Sequence, residues 1–217
     1  MAIKGGANLP GFSVWTSWVS AAAPVVFLVV GTAATIAAPG FSSIESPISA
    51  LADPTRPYPW IINTAFITYG LMVQGLGFTL YVSAHRLFAK VMLPALILLY
   101  GSGGIAAGIF VTGGADIVVF GFSEGDLHGV AASTTLLAIM MLMALGTFAQ
   151  TLGGELAVMR KVSLALFALT AIAAIIFLIM PPELGLSGLL QRTFFGTTMA
   201  WVFMSSMHVA NRQRHEP

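Results

Sequence analysis

Long apolar runs constrain this chain more than any other feature. A helix needs about 20 apolar residues to cross the roughly 30 Å hydrocarbon core of a bilayer. Six segments approach or exceed that length with almost no charge, and Pro, Gly or charged residues bound each of them. The six predicted spans are Val14–Ala38, Trp60–Val82, Val91–Thr112, Leu127–Gln150, Val162–Met180 and Leu189–Val209.

The composition excludes the main soluble classes of protein. Of 217 residues, 57% are hydrophobic and only 8% are charged, whereas an average globular chain carries about 25% charged residues. Nine basic and eight acidic side chains are too few for a soluble domain, a nucleic-acid-binding protein or a disordered chain. We therefore predict an all-α, polytopic membrane helix bundle with six transmembrane helices, forming a single domain over residues 1–217.

The positions of Lys and Arg predict how the bundle is oriented. Cytoplasmic loops carry an excess of these residues. A cytoplasmic N-terminus puts seven of the nine basic residues inside and leaves only Arg56 and Arg192 outside. Six of the eight acids then fall outside, namely Glu45, Asp53, Asp116, Glu124, Asp126 and Glu183. Both termini are thus predicted to be cytoplasmic, with the bundle in the inner or plasma membrane.

Small residues predict where helices approach closely. Because lipid tails are as apolar as Leu, membrane helices associate through close backbone contact. The third span carries Gly101, Gly104 and Gly108, and the sixth carries Gly196-x-x-x-Ala200. We predict that the third helix is tightly packed through this glycine face. A homo-oligomer face is the alternative use of such a motif.

Two short outer segments also have local signals. Ser46-Pro47 resembles a helix N-cap followed by Pro at the first helical position, which predicts a short helix over Pro47–Ala52. Asp53-Pro54 should end it, because the residue before Pro disfavours helical backbone.

Three polar residues near the outer helix ends are candidates for a site. Arg192 lies near the start of the sixth span, where positive charge opposes both the helix dipole and the inside-positive bias. It implies an anionic partner, either a loop carboxylate or an acidic ligand. Asp126 opens the fourth span, where a carboxylate can also serve only as a cap. His128 follows two residues later, and a bond to loop carbonyls is its alternative role.

We expect these three side chains to converge at the outer end of the bundle, with Glu45, Asp53 or Asn63 close enough to join them. An unpaired guanidinium near lipid costs several kcal/mol. Asp126 is the expected partner of Arg192, because it begins its helix at the same depth. One ion pair would satisfy both groups, and the same Arg192 could also hold a phosphate or carboxylate.

Four short motifs run through most of the chain. They are Ser46-Pro47-Ile48-Ser49-Ala50-Leu51 before the second span, Asn63 with Gly70 inside it, Asp126-Leu127-His128-Gly129 opening the fourth, and Gly188-Leu189-Leu190-Gln191-Arg192 opening the sixth. In these motifs the chain resembles the bacterial membrane family catalogued as domain of unknown function 998. It departs from that family's Phe-Pro pairing at Phe110-Val111. The resemblance implies a six-helix fold and a shared outer-face site, and it implies no reaction.

The leading functional hypothesis is a non-catalytic membrane protein with an outer polar pocket. Its partner would be a membrane lipid, a small amphiphile or a protein subunit. The predicted ligand-binding residues are Arg192, Asp126, His128, Asp53 and Asn63. We predict no cofactor, no metal site and no nucleic-acid partner, since a zinc site would have His128 as its one external imidazole.

Two other functions stay open. The first is an intramembrane enzyme that acts on a lipid or isoprenoid, with Asp126 or Glu45 as proton donor and His128 as base. A Ser–His–acid site could use Ser46 or Ser49, although nothing in the spacing requires it. The second is a small-solute transporter, for which the chain lacks the broken helices and clear inverted repeats of known transporter folds.

The predicted topology can be tested in this cysteine-free chain. In the single variants Ser123→Cys and Arg160→Cys, a membrane-impermeant thiol reagent should label the two positions from opposite sides of the membrane. Labelling of both positions from the same side would overturn the six-span topology.

Overall fold

The computed structural model describes residues 9–84, 86–113, 118–147 and 159–215. Within these ranges the chain forms six α-helices, which confirms the predicted all-helical bundle. They are α1 (Leu9–Ile36), α2 (Pro59–Ser83), α3 (Leu87–Ile109), α4 (Glu124–Thr147), α5 (Arg160–Ile179) and α6 (Ser187–His215). Residues 148–150, the end of the fourth predicted span, lie outside the described ranges, as do Asp116 and Glu155.

The helices have the lengths and compositions that a membrane bundle requires. Five of them, α1 to α5, are long and apolar enough to cross a membrane. The sixth, α6, has 29 residues and is more polar, with Gln191, Arg192 and Thr193 near its start. The chain is therefore a membrane protein by the length and composition of its helices.

The helices are arranged as a closed ring. Each helix packs mainly against the helices before and after it in sequence, and α6 returns to pack against α1. The side chains that face the inside of the ring are mostly apolar, and Trp201, Leu76 and Ile139 among them are fully buried. The end of the ring that carries the α1–α2, α3–α4 and α5–α6 connections is called the outer end below.

A short 3₁₀ helix, Ile48–Ala52, lies in the α1–α2 connection and closes part of the outer end. It contacts α1, α2 and α6, and most of its side chains are buried. The predicted short helix is therefore present and ends at Asp53, as expected. The predicted cap is wrong: Pro47 occupies the cap position, and no side chain caps the helix.

The α3–α4 connection contains the only strand pair in the described ranges, β1 (Val118–Val119) with β2 (Phe122–Ser123). The two strands are antiparallel, and Ser123 immediately precedes α4. The hairpin therefore fixes the point at which α4 begins.

Glycines bring the backbones of α2 and α3 into close contact. A Cβ atom on Gly70 would lie 2.5 Å from the carbonyl oxygen of Gly101, and one on Gly108 would lie 2.7 Å from that of Asn63. A Cβ on Gly104 would meet its nearest atom at 3.6 Å, an ordinary contact. The predicted tight packing of α3 is thus confirmed at Gly101 and Gly108, whereas Gly104 leaves room for a methyl group.

This difference gives a matched pair of substitutions on one helix. Gly108→Ala should lower the free energy of unfolding by about 1–3 kcal/mol, because the added methyl group overpacks the α2–α3 contact. Gly104→Ala should have no such cost and should improve helix propensity slightly. Reversible denaturation in detergent micelles measures both. Equal destabilisation by the two variants would contradict the α2–α3 contact described above.

Candidate functional site

The α1–α2 connection is fastened to the start of α6 by hydrogen bonds. The amide of Leu189 donates to the carbonyl of Ile44 at 2.9 Å. The side chain of Gln191 accepts a hydrogen bond from the amide of Ile48 and donates one to the hydroxyl of Ser49 at 3.2 Å. One glutamine therefore holds the 3₁₀ helix against α6 through both ends of its amide group.

Arg192 adds a second set of bonds to the same connection. Its Nη1 donates to the carbonyl oxygens of Ser43 at 2.7 Å, Ser46 at 2.9 Å and Gly188 at 3.2 Å. Its Nη2 is buried and has no hydrogen-bond partner among the described residues. Because carbonyl groups carry no net charge, these bonds hold the side chain in place without neutralising it.

A second arginine lies near the first. The guanidinium carbons of Arg192 and Arg56 lie 5.6 Å and 5.5 Å from the ring centre of Phe41, within cation–π range. These two are the only basic residues that the predicted topology places outside. Hydrogen bonds from Thr55 lower the pKa of the Asp53 carboxyl group most, and the nearby positive charge of Arg56 contributes less. Two guanidinium groups thus lie beside one aromatic ring, and an acidic side chain lies near one of them.

A groove of about 320 Å³ runs between α1 and α6, and Arg192 lines it. Its lining is otherwise mostly apolar and consists of Phe27, Leu28, Gly31, Thr32, Thr35, Ser43, Ile48, Phe195, Gly196 and Met199. Seven residues separate Arg192 from Met199 on α6, which corresponds to about 10 Å along the helix. A Cβ atom on Gly196 would meet nothing within 4 Å. The predicted role of Gly196 as a close-packing residue is therefore wrong, because it borders open space.

Asp126 belongs to a capping box at the start of α4. Its carboxylate accepts hydrogen bonds from the amide of Ser123 at 3.2 Å and from the Ser123 hydroxyl at 2.7 Å. The Ser123 oxygen accepts the amide of Asp126 at 3.1 Å in return. Ser123 is thus the cap, and Asp126 is the third helical residue, an arrangement that satisfies free amides at a helix start. The sequence predicts an ion pair between Arg192 and Asp126. Instead, the guanidinium of Arg192 binds backbone carbonyls, and the carboxylate of Asp126 binds Ser123.

His128 ties the start of α4 to the end of α3. It is buried, and its Nδ1 lies 2.9 Å from the carbonyl oxygen of Ala107 and 2.8 Å from that of Phe110. Carbonyl oxygens only accept hydrogen bonds, so Nδ1 must carry a proton. The last carbonyls of a helix lack partners within the helix, and His128 supplies one. In the neutral ring, Nε2 is then an acceptor, and no described residue donates to it.

His128 also lines a cavity of about 70 Å³ inside the ring. The cavity is bounded by the 3₁₀ helix and by residues of α2, α3, α4 and α6. Its polar lining residues are Ser49, Tyr69, Tyr100, His128, Thr135, Gln191 and Thr198, and its apolar lining includes Phe66, Phe194 and Phe195.

The two tyrosines connect three helices in this cavity. The hydroxyls of Tyr69 and Tyr100 lie 2.7 Å apart, and that of Tyr100 donates to Thr198 at 3.4 Å. Both tyrosines are almost completely buried. Their hydrogen bonds therefore link α2, α3 and α6 beside the cavity.

Three other predicted site residues lie outside both linings. Asp53 accepts hydrogen bonds from the amide and hydroxyl of Thr55 at 2.8 Å and 2.7 Å, and the hydroxyl contributes most to lowering the pKa of its carboxyl group. Asn63 lies at the α2–α3 contact, where its Oδ1 is buried without a partner in the described part of the chain. Glu45 is exposed and lies beside Gly185. That these residues act as one ligand-binding set stays a prediction.

Several residues that line the groove or the cavity were not predicted from the sequence. Tyr100 and Thr198 are polar residues within long apolar spans, which is the signal that could have indicated an interior role. Gln191 was visible only as part of a short motif. Across the described ranges, no three His, Asp or Glu side chains are placed to hold a metal ion.

The ring of apolar helices, with a groove and a cavity at its outer end, defines a polytopic membrane helix bundle. The family model described as "Protein of unknown function (DUF998)" matches residues 21–208, and the chain belongs to this family. No curated protein and no solved structure matches it. Two of the motifs that resemble the family, 46–51 and 188–192, are hydrogen-bonded to each other, and a third supplies His128.

The structural role of His128 predicts a difference between two substitutions. His128→Asn keeps an N–H donor near the position of Nδ1, whereas His128→Leu leaves two carbonyls of the α3 end without a donor. The Leu variant should lose about 1–3 kcal/mol of stability, the cost of buried unsatisfied polar groups, and the Asn variant should lose less. Thermal unfolding in detergent compares them, and a Leu variant as stable as the parent would argue against this contact.

Proposed function

We propose that this membrane protein binds an anionic amphiphile, with the headgroup at Arg192 and the apolar chain in the groove between α1 and α6. The observation that carries the proposal is the buried Nη2 of Arg192, which has no partner among the described residues and belongs to a mostly apolar groove. The groove end is proposed to face outside the cell, following the distribution of basic residues. The bound molecule is a membrane lipid or a related amphiphile.

The charge on Arg192 supports an anionic headgroup. The three carbonyl oxygens engage Nη1, and the N–H groups on Nη2 have no hydrogen-bond partner among the described residues. A phosphate or carboxylate matches the planar guanidinium with two parallel hydrogen bonds, which are about twice as strong as neutral ones. Arg56, on the same aromatic ring, adds a second positive charge to attract the headgroup.

The shape of the groove supports an apolar chain. A length of about 10 Å covers about two thirds of one leaflet, since the hydrocarbon core is roughly 30 Å thick. The lining beyond Arg192 and Ser43 is made of apolar groups, glycines and threonines, and Thr35 already donates its hydroxyl to the carbonyl of Gly31. An acyl chain therefore meets mostly apolar groups along this part of the groove.

Binding fits the site better than catalysis does. The enzyme hypothesis needs a proton donor close to the base His128. Asp126 is exposed and engaged with Ser123, Glu45 is exposed, and neither lines the His128 cavity. The arrangement of charge and apolar space therefore supports a binding protein first.

Two variants test the two halves of the proposed site separately. Arg192→Met should lower the affinity for phosphatidylglycerol about tenfold or more, as expected when a charge-assisted pair is lost. Gly196→Leu should fill the groove and lower the affinity for the same lipid without lowering thermal stability. Native mass spectrometry of the detergent-solubilised protein with phosphatidylglycerol and with zwitterionic phosphatidylcholine measures both effects.

Each variant has a matched control. Gly11→Leu makes the same change at a helical position with open space at the other end of the bundle and should leave lipid binding unchanged. Lys161→Met removes an exposed positive charge at the other end of the bundle and should retain the preference for the anionic lipid. Equal binding of the two lipids by the parent, or unchanged phosphatidylglycerol binding by Arg192→Met, would refute the proposal.

A further inference from the structure

The interior cavity lies directly beside the proposed headgroup position. Gln191 lines the cavity and its neighbour Arg192 lines the groove, while Ile48 and Phe195 belong to both linings. The side chains of Ile48 and Phe195 therefore lie between the groove and the cavity. A group attached to an anion at Arg192 would enter the cavity past these two side chains.

The hydroxyl protons of the tyrosine chain are already used. Thr198 donates to the carbonyl oxygen of Phe195 at 2.7 Å, so it accepts from Tyr100. Because the single hydroxyl proton of Tyr100 is donated to Thr198, Tyr69 must be the donor in its 2.7 Å hydrogen bond to Tyr100. Thr135 likewise donates to its own helix, at the carbonyl of Ala131. These four hydroxyls leave only lone pairs for a further partner.

His128 adds a stronger acceptor to the same cavity. The ring is 7% exposed, and its Nδ1 proton is held by two carbonyl oxygens, so the neutral ring has Nε2 as a free lone pair. Ser49 and Gln191 are the exceptions among the polar groups: no described residue accepts the Ser49 proton, and only one of the two side-chain N–H groups of Gln191 is used, in its bond to Ser49. Most of the lining is apolar, and its few polar atoms are mainly acceptors, so a molecule that donates hydrogen bonds satisfies them.

We propose that this cavity holds the uncharged, hydroxyl-bearing head alcohol of a phospholipid whose phosphate lies at Arg192. The proposal rests on the proposed function and specifies its ligand class. The head hydroxyls donate to Nε2 of His128 and to the oxygen of Tyr69. The volume of about 70 Å³ is several times the roughly 10–15 Å³ that a single water molecule requires, so the cavity suits a small head alcohol such as glycerol.

The lining favours a neutral head over an ammonium head. None of the residues described around the cavity is an Asp or Glu. Burying a cation without a counter-ion carries a desolvation cost of several kcal/mol. A hydroxyl donates the same hydrogen bonds without that cost. Phosphatidylethanolamine is therefore the weaker ligand in this account.

A pair of lipids that differ only in the head alcohol tests the proposal. Phosphatidylglycerol and phosphatidylmethanol carry the same anionic phosphodiester, and only the first has hydroxyl donors. The parent protein should bind phosphatidylglycerol about tenfold more tightly, the effect of unpaired polar groups in a buried site. His128→Asn keeps the Nδ1-like donor but lacks the Nε2 acceptor, so it should reduce the preference for phosphatidylglycerol. Tyr69→Phe, which removes the other acceptor, should also reduce the preference.

The outcomes separate this proposal from the one on which it rests. Arg192→Met should weaken both anionic lipids and leave their ratio unchanged. Equal binding of the two anionic lipids by the parent, both above phosphatidylcholine, would overturn the head-alcohol site and keep the Arg192 site. No preference over phosphatidylcholine would overturn both. Tighter binding of phosphatidylethanolamine than of phosphatidylglycerol, or an undiminished preference in His128→Asn and Tyr69→Phe, would also overturn the head-alcohol site.

Discussion

The attachment of the α1–α2 connection to the start of α6 is the interaction on which the outer end of this bundle depends. Gln191 binds the 3₁₀ helix through both ends of its amide, and Arg192 binds the carbonyls of Ser43 and Ser46. Backbone groups at membrane depth need partners, because lipid offers none. These two side chains supply them, and they hold a non-helical segment across the ring at the place where α6 closes on α1.

The same two residues also create the two spaces of the proposed site. Consecutive residues on a helix point about 100° apart. Gln191 therefore faces the interior cavity while Arg192 faces the groove that opens between α1 and α6. The 3₁₀ helix contributes Ile48 to both linings, so the segment that is fastened down is also the partition between them. Structure and binding are thus linked, since a bound phosphate would add a charged partner to an arginine that already holds the connection in place.

Much of the fold could be predicted from the sequence, because the length of an apolar run is a local property with one physical meaning in a bilayer. Arg192 stood out for a similar reason, since its position opposes both the helix dipole and the charge bias. The partners could not be predicted, because they depend on how each helix is rotated about its axis. Asp126 is hydrogen-bonded to Ser123, and Arg192 is hydrogen-bonded to backbone carbonyls. Gly104 is less crowded than Gly101 and Gly108. The buried hydrogen bonds around Tyr100 and Thr198 have the same origin, because isolated polar residues become partners only when their helices meet.

Solid-state NMR distance measurement between the guanidinium carbon of Arg192 and lipid phosphorus tests the central claim most directly. The protein would carry ¹³C-labelled arginine in phosphatidylglycerol bilayers, and the Arg192→Met variant would identify the Arg192 signal by difference. The account predicts strong ¹³C–³¹P dephasing for Arg192, with a separation within about 5 Å, as charge-assisted hydrogen bonds to a phosphate impose. An Arg192 signal that phosphorus does not dephase, in a protein whose fold is intact, would contradict it.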